Sequence, residues 1–406
     1  MKRAFLTGLA TAAVLTALAT AEVQVNVRTS GSQANPAVAL DPGGGAVAVW
    51  SSYYTTLGRS NEILARRCDP NGTLAEEEFQ VNQASEGNQT EPAVAMDGQG
   101  RWAVVWQGPG LQEEDIFLRL WDANGIAPTE EMLINSGTAG RQLYPGIAAN
   151  AAGVFVIVWE SRQTIEESDQ SSVCGQLFDA NGLVLGDEIL LTEEVNDGRY
   201  PDVAMDGLGG FAVAWLCDGT ITARLFDPNG VPRTEPFDVS TVAISSVTRP
   251  SIAMNSSGYF VVAWDGDPNR ASEDDIHARL FDPNGTSRGE PFIVNSLGDG
   301  AQQWPRISIN DANEFVIVWE HDTGDPNLAT EIFVRRFDPN GSPAGEPFQL
   351  NTHTLDKQRD PDVAMAGDGS FVAVWESNEQ DGSACGVFAH VEPAAAADPN
   401  ELPPDD

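Results

Sequence analysis

Lysine is almost missing: beyond Lys2, the sole lysine among 406 residues is Lys357. Lysine and arginine together number 22 against 60 acidic residues, a formal net charge of −38. Such a chain repels phosphate backbones, so nucleic acids and anionic membranes are poor partners, whereas divalent cations and basic molecules are attracted. Solubility or salt tolerance is the plainer use of the same charge. Histidine is scarce as well, and His277, His321, His353 and His390 have no metal-ligand spacing between them. Cys68, Cys174, Cys217 and Cys385 form neither a zinc pattern nor a repeated framework, and their three alternative disulfide pairings stay open. The one Gly-x-Ser-x-Gly match, Gly285 to Gly289, starts inside an Asp-Pro-Asn-Gly turn and not at a strand-to-helix elbow, and no Gly-Lys-Ser/Thr phosphate loop occurs.

Long apolar runs are also lacking after the first residues. Met1-Lys2-Arg3, the apolar stretch Ala4 to Ala19 and the small triplet Ala19-Thr20-Ala21 have the pattern of a secretory signal, cleaved after Ala21. That stretch is shorter than the roughly 20 residues a membrane span needs, and no cysteine follows it for lipid attachment. The sequence thus predicts a signal over 1–21, an exported monomer without a membrane span, and an acidic Pro/Ala-rich tail over 393–406. Losing Lys2 and Arg3 leaves 20 basic residues against the 60 acidic ones.

What is present is one unit written seven times. Trp50, Trp106, Trp159, Trp215, Trp264, Trp319 and Trp375 each follow a proline by fourteen residues, and successive gaps are 56, 53, 56, 49, 55 and 56. Those prolines are Pro36, Pro92, Pro145, Pro201, Pro250, Pro305 and Pro361. A period of roughly 40 to 50 residues with several short strands marks a propeller. Each unit reads as four strands. A first strand of small and β-branched residues (Pro201-Asp-Val-Ala-Met205) precedes an apolar second strand (Phe260-Val-Val-Ala-Trp264). A run without polar alternation is buried on both faces. The third strand (Ile276 to Phe281) ends in Asp-Pro-Asn-Gly, as at Asp282 to Gly285, where Asp accepts backbone bonds and Asn-Gly tolerates positive φ. The fourth reads Phe292-Ile-Val-Asn295. The last unit stops after its third strand, Val387 to Val391, and Val23-Gln-Val-Asn-Val27 has the fourth-strand pattern. The sequence predicts an all-β, seven-bladed β-propeller over 22–392, with four antiparallel strands per blade and the N-terminal strand completing the last blade.

Pro201 to Ala204, Gly258 to Trp264, Ala278 to Gly285 and Phe348 to Asn351 carry a resemblance that covers the chain beyond the signal. It resembles the tandem repeats, predicted to form propellers, of secreted and surface-attached bacterial proteins. The resemblance implies fold and export and brings no catalytic residues. The Ser-x-Asp-x-Gly-x-Thr-Trp box of sialidase propellers is absent.

Three groups are candidate sites. Asp265, Asp267, Asn269 and Asp274 put oxygen ligands in one loop, as calcium requires, although the EF-hand glutamate is missing. Glu320, Asp322, Asp325 and Asn327 form a looser counterpart. Tyr144, Tyr200 and Trp304, with Arg249 and Asp360, stand just before the first-strand prolines and would surround the axial mouth as a ligand platform. Packing against the next blade is the competing account. Gln33, Gln89, Gln142, Gln302 and Gln358 are read as loop braces. Arg66, Arg119, Arg224, Arg279 and Arg335 are read as partners of carboxylates such as Glu320 or Glu376.

The expected function is noncatalytic binding of a protein, matrix polymer or glycan through the variable-loop face, with calcium as an accessory. The alternative is an extracellular polysaccharide hydrolase or lyase acting at the axial mouth, which convergent carboxylates and an arginine in one central pocket would favour. A third reading is a passive spacer.

Overall fold

The computed structural model describes residues 22–53, 60–70, 72–110, 112–137, 139–165, 168–192, 198–241, 244, 248–266, 274–296, 300–324 and 330–395. The expected signal over 1–21 lies outside these residues, as does most of the expected tail.

Every described element is a β-strand. In the fourth repeat Arg199–Met205, Phe211–Cys217, Thr220–Phe226 and Phe237–Asp238 form an antiparallel sheet in chain order. Five such four-stranded sheets occur. The strands of the first and last repeats belong instead to one eight-stranded sheet, because a parallel bridge joins Ser32 to Cys385. On the same last strand, Val23 pairs with Ala389 and Gln24 with Phe388. Val25 N–H donates to Val387 O at 2.7 Å, and Val387 N–H to Asn26 Oδ1 at 2.9 Å. Asn82, Asn135, Asn295 and Asn351 accept the corresponding bond in their own repeats.

The uninterrupted apolar second strands divide their side chains between two cores. Ala212 and Ala214 face the fifth repeat, with Ile252, Phe260 and Trp264, whereas Val213 and Trp215 face the third, with Val156 and Val158. Alternate side chains of a strand point to opposite faces, so a sheet stacked on both sides needs apolar residues at every position. The first and last repeats share such a core too, through Val38, Trp50, Val374 and Val387. Each fully buried aromatic removes enough apolar area to contribute on the order of 2 kcal/mol or more. Paired rings close the sheets at one end: Phe211 stacks on Phe226 at 4.9 Å and Phe260 on Phe281 at 4.8 Å.

Indole N–H groups this deep need acceptors. Gln33, Gln89 and Gln142 accept from Trp50, Trp106 and Trp159 at 3.0 Å, and Gln302 accepts from Trp319 at 2.7 Å. The recurrent arginines differ from expectation, apart from Arg335, which also approaches the Glu346 carboxylate at 3.8 Å. Their Nη1 atoms donate to backbone carbonyls of the preceding fourth strand: Arg66 to Val25, Arg119 to Val81, Arg224 to Leu191, Arg279 to Val239 and Arg335 to Val294. Where the fourth strand is only two residues long, carbonyls beyond it are left unpaired and a long guanidinium supplies the donor; Arg224 does the same at the end of the longer Val184–Leu190 strand. No disulfide joins the four cysteines among the described residues.

Candidate functional site

The site begins with a backbone irregularity. Except in the fifth repeat, first strands start before their prolines, and the ladder slips at the proline, as between Ala34 and Ala37, Leu143 and Gly146, or Arg359 and Asp362. Proline cannot donate to a ladder, so it belongs at a bulge. The residue before it takes a left-handed conformation: φ is 51° at Asn35, 52° at Glu91, Tyr144 and Tyr200, 54° at Trp304 and 49° at Asp360. That backbone is costly for a side-chain-bearing residue and needs outside support. At five of these six positions the residue after the tryptophan of the preceding repeat gives it, while Ser51, which stands there for Glu91, leaves its hydroxyl unbonded. Gln107 Oε1 accepts Tyr144 N–H at 2.9 Å, Glu160 Oε2 accepts Tyr200 N–H at 3.2 Å and Glu320 Oε1 accepts Asp360 N–H at 2.7 Å. Asp265 holds the Trp304 N–H and Glu376 the Asn35 N–H in the same way.

Five of these bulge residues, Asn35, Glu91, Tyr144, Tyr200 and Asp360, line a central cavity of about 250 Å³ to which all seven repeats contribute. Arg249, from the fifth repeat, crosses it to bond Glu91, from the second, with Nη1 to Oε2 at 2.9 Å. The guanidinium lies 4.5 Å from the centroid of the Tyr144 ring, 5.3 Å from Tyr200 and 5.1 Å from Trp304. Tyr144 and Tyr200 themselves meet at 4.7 Å, tilted. Four of the five residues expected at the mouth, Tyr144, Tyr200, Arg249 and Asp360, line the cavity, and Trp304 joins them through Arg249.

Glu91, Asn35, Arg306, Asp202 and Asp362 also line the cavity and were not anticipated. Glu91 and Asn35 occupy the same pre-proline place as the residues that were, so alignment on the prolines could have found them. Asp202, Arg306 and Asp362 follow their prolines, where other repeats have small residues such as Ala37, Ala93 and Gly146. Deeper in the cavity Asp202 Oδ2 accepts Ile252 N–H at 2.9 Å, and Asp362 Oδ2 accepts Val38 N–H at 2.8 Å. Burial pushes Asp362 up to about 6 despite the Arg306 guanidinium, and Asp202 is raised for the same reason.

Above them, burial and the neighbouring Asp360 carboxylate push Glu320 well above the usual range. Asp360 is itself raised by burial and then by the charge of Glu91, against the pull of Arg249, Arg306 and Arg359. Glu376 is raised by burial and by Asp360, while Arg359 approaches it at 3.6 Å. Close carboxylates away from water do not all ionise together, so each of the three holds a proton more tightly than a free carboxyl does. A protonated carboxyl beside one held by an arginine is a pairing that can deliver a proton and stabilise positive charge.

The expected calcium loop is described only in part, because Asp267 and Asn269 lie outside the described residues, as do Asp325 and Asn327. Asp265 turns inward, where its Oδ1 accepts from Thr248 Oγ1 at 2.8 Å, and burial raises it to about 7. Asp274 lies close enough for its charge to add to that rise. Among the described residues no group of three or more His, Cys, Asp or Glu side chains has the arrangement to hold a metal ion. No helix among them is long and apolar enough to cross a membrane.

No protein-family model and no curated protein matches this chain. Solved structures do. A Hadza microbial sialidase is 13% identical with a TM-score of 0.51, over 72% of this chain and 64% of that one. The chain therefore spans less than two thirds of that sialidase. The β-propeller domain of the Trilobed protease from Pyrococcus furiosus is 9% identical with a TM-score of 0.52, over 92% of this chain and 100% of that one. An α-L-arabinofuranosidase from Fusarium graminearum is 11% identical with a TM-score of 0.50, over 82% and 98%. The expectation of a noncatalytic binding propeller working through its loop face is corrected here. Glycoside hydrolases stand among the similar structures, and the polar groups converge in a recessed central cavity, the arrangement expected of the alternative. At such identities the likeness itself establishes one thing, that this chain is an all-β protein of repeated four-stranded sheets with the β-propeller fold.

Proposed function

We propose that this protein is an exported, seven-bladed propeller that hydrolyses glycosidic bonds of a polysaccharide at the mouth of its central cavity. The seven-blade ring is supported by the seven-fold sequence unit, the Val23 pairing with Ala389, and a shared core between first and last repeats. Export is supported by the signal pattern at the N-terminus.

The single observation that carries the activity is the meeting of Asp360 with the Arg249-paired Glu91 in one recess. Glycoside hydrolysis needs one carboxyl that protonates the leaving oxygen and one carboxylate that stabilises or attacks the sugar carbon as positive charge develops. Asp360 fits the acid, because burial and the Glu91 charge raise its hold on a proton. Glu91 fits the carboxylate, its charge balanced by Arg249 Nη1 while no sugar is bound. Tyr144, Tyr200 and Trp304 offer ring faces for the sugar. Hydrolysis is favoured over elimination because a proton-bearing carboxyl is an acid, whereas a lyase opens with a base.

The test is release of reducing ends from a panel of polysaccharides, with product masses. The proposal expects cleavage of at least one polymer, lost by about 100-fold or more in Asp360→Asn and in Glu91→Gln, in line with the usual worth of a positioned acid. Activity that survives both substitutions, or no cleavage across neutral, acidic and amine-bearing polymers, removes the hydrolase.

A further inference from the structure

Arg249 is the exception among the residues before the first-strand prolines. Asn35, Glu91, Tyr144, Tyr200, Trp304 and Asp360 have left-handed backbones, and Arg249 does not. The position that offers Gln107, Glu160, Asp265, Glu320 or Glu376 elsewhere holds Leu216 in the preceding repeat, which has no acceptor to clasp the Arg249 N–H; Ser51, at that position before Glu91, also leaves its hydroxyl unbonded although Glu91 is left-handed, so the missing clasp does not by itself set the backbone. The fifth repeat starts its first strand only at Ser251, past the proline. Arg249 thus reaches the cavity centre by its side chain and not by a braced bulge. Its Nε is buried without an acceptor, so the contact is incomplete for that donor.

Around that guanidinium stand three rings, at 4.5, 5.3 and 5.1 Å, and one carboxylate at 2.9 Å. Aromatic faces on several sides with a carboxylate between them hold ammonium and guanidinium ions, whose charge the rings attract electrostatically. We propose that Tyr144, Tyr200, Trp304 and Glu91 form a subsite for a protonated amine, closed by Arg249 as an internal cation, and that it admits an amino-sugar unit of a polycationic glycan when Arg249 swings out. This rests on the glycosidase reading and names its substrate class. Both charge and shape select that class. A net charge of −38 repels uronate polymers and concentrates polycations at the mouth. An uncharged sugar displacing Arg249 would leave the Glu91 carboxylate without its counter-ion, which an ammonium group replaces.

Calorimetric titration of the full chain with oligomers of glucosamine, N-acetylglucosamine and galacturonate tests this. The glucosamine oligomer is expected to bind at least ten-fold more tightly than either other, and to weaken as salt is raised. Glu91→Gln should weaken it ten-fold or more, and Arg249→Ala or Arg249→Gln should tighten it several-fold by emptying the cage. Equal binding of the three oligomers overturns the subsite. So does a galacturonate preference that disappears with Arg249, because the arginine would then be an anion receptor. The unsubstituted protein's ranking decides the matter even where a variant fails to fold. Cleavage is read separately: glucosamine oligomers bound but uncut keep the amine subsite and remove the hydrolase, whereas neutral glycans cut without amine preference keep the hydrolase and remove the subsite.

Discussion

Asp362 and Val38 join the two ends of the repeated chain, the carboxylate Oδ2 accepting the backbone N–H at 2.8 Å across 324 residues. Asp202 makes the same reach to Ile252, one repeat onward, at 2.9 Å. An aspartate directly after the proline therefore ties one inner strand to the next. The last-to-first contact is made by the same chemistry as an internal one.

Replacing that carboxylate separates its two roles. Asp362→Ala leaves the buried Val38 N–H without a partner and should lower unfolding free energy by about 1–3 kcal/mol. Asp362→Asn keeps an acceptor and removes a buried charge, so at pH 8 it should cost less than alanine. Denaturant titration at constant slope measures both, and equal losses for the two would contradict the assignment.

The N-terminal segment offers a second test. Asn26→Ala removes the acceptor for Val387 N–H and exposes the final sheet edge. A loss of about 1–2 kcal/mol is expected. Asn82→Ala, which leaves Ile63 N–H without its acceptor, is the internal reference and should cost a similar amount. A much smaller loss at Asn26 would show that the first segment contributes little to holding the ends together.

Stability should fall as pH rises. Asp265 is raised to about 7 and Asp362 to about 6, and Glu320, Glu376 and Asp202 are raised as well, all chiefly by burial. A carboxyl with a folded pKa above its unfolded value, about 4, stabilises fully below that value and loses the contribution as pH climbs through the folded pKa. The turn aspartates Asp179 and Asp368 shift the opposite way and lose their contribution only in stronger acid. The midpoint of thermal melting should thus peak near pH 4 to 5 and decline towards pH 8. A midpoint rising steadily from pH 5 to 8 would refute this.

The seam between first and last repeats is underfilled. Where other repeats oppose Phe211 to Phe226 or Phe315 to Phe337, the first opposes Ala46 to Cys68, beside an apolar cavity of about 40 Å³. Cys68→Leu should fill it and raise stability by about 1 kcal/mol, read from denaturant midpoints. A loss of stability would mean that the cavity is too rigid to accept the side chain.

Much of this architecture was legible because it is local and periodic. The prolines, tryptophans and Asp-x-Asn-Gly turns fall at regular spacings, and the Gly285 φ of 82° is the conformation that turn requires. The glutamines were readable as braces, since their spacing to tryptophan never varies where they occur, although that an indole N–H was what Gln33, Gln89, Gln142 and Gln302 hold was not. The arginines misled, because a charged side chain suggests a charged partner and these bond backbone carbonyls. Arg249 and Glu91 are 158 residues apart, and no spacing rule connects them.

By itself, then, the sequence determined how often the unit recurs, where its strands and turns lie and which residues are buried, since each depends on neighbours a few positions away. Only the tertiary structure decided which side chains meet at the centre and how tightly they hold their protons. That outcome depends on left-handed bulges braced from the preceding repeat and on the loss of water around carboxylates brought together from distant parts of the chain.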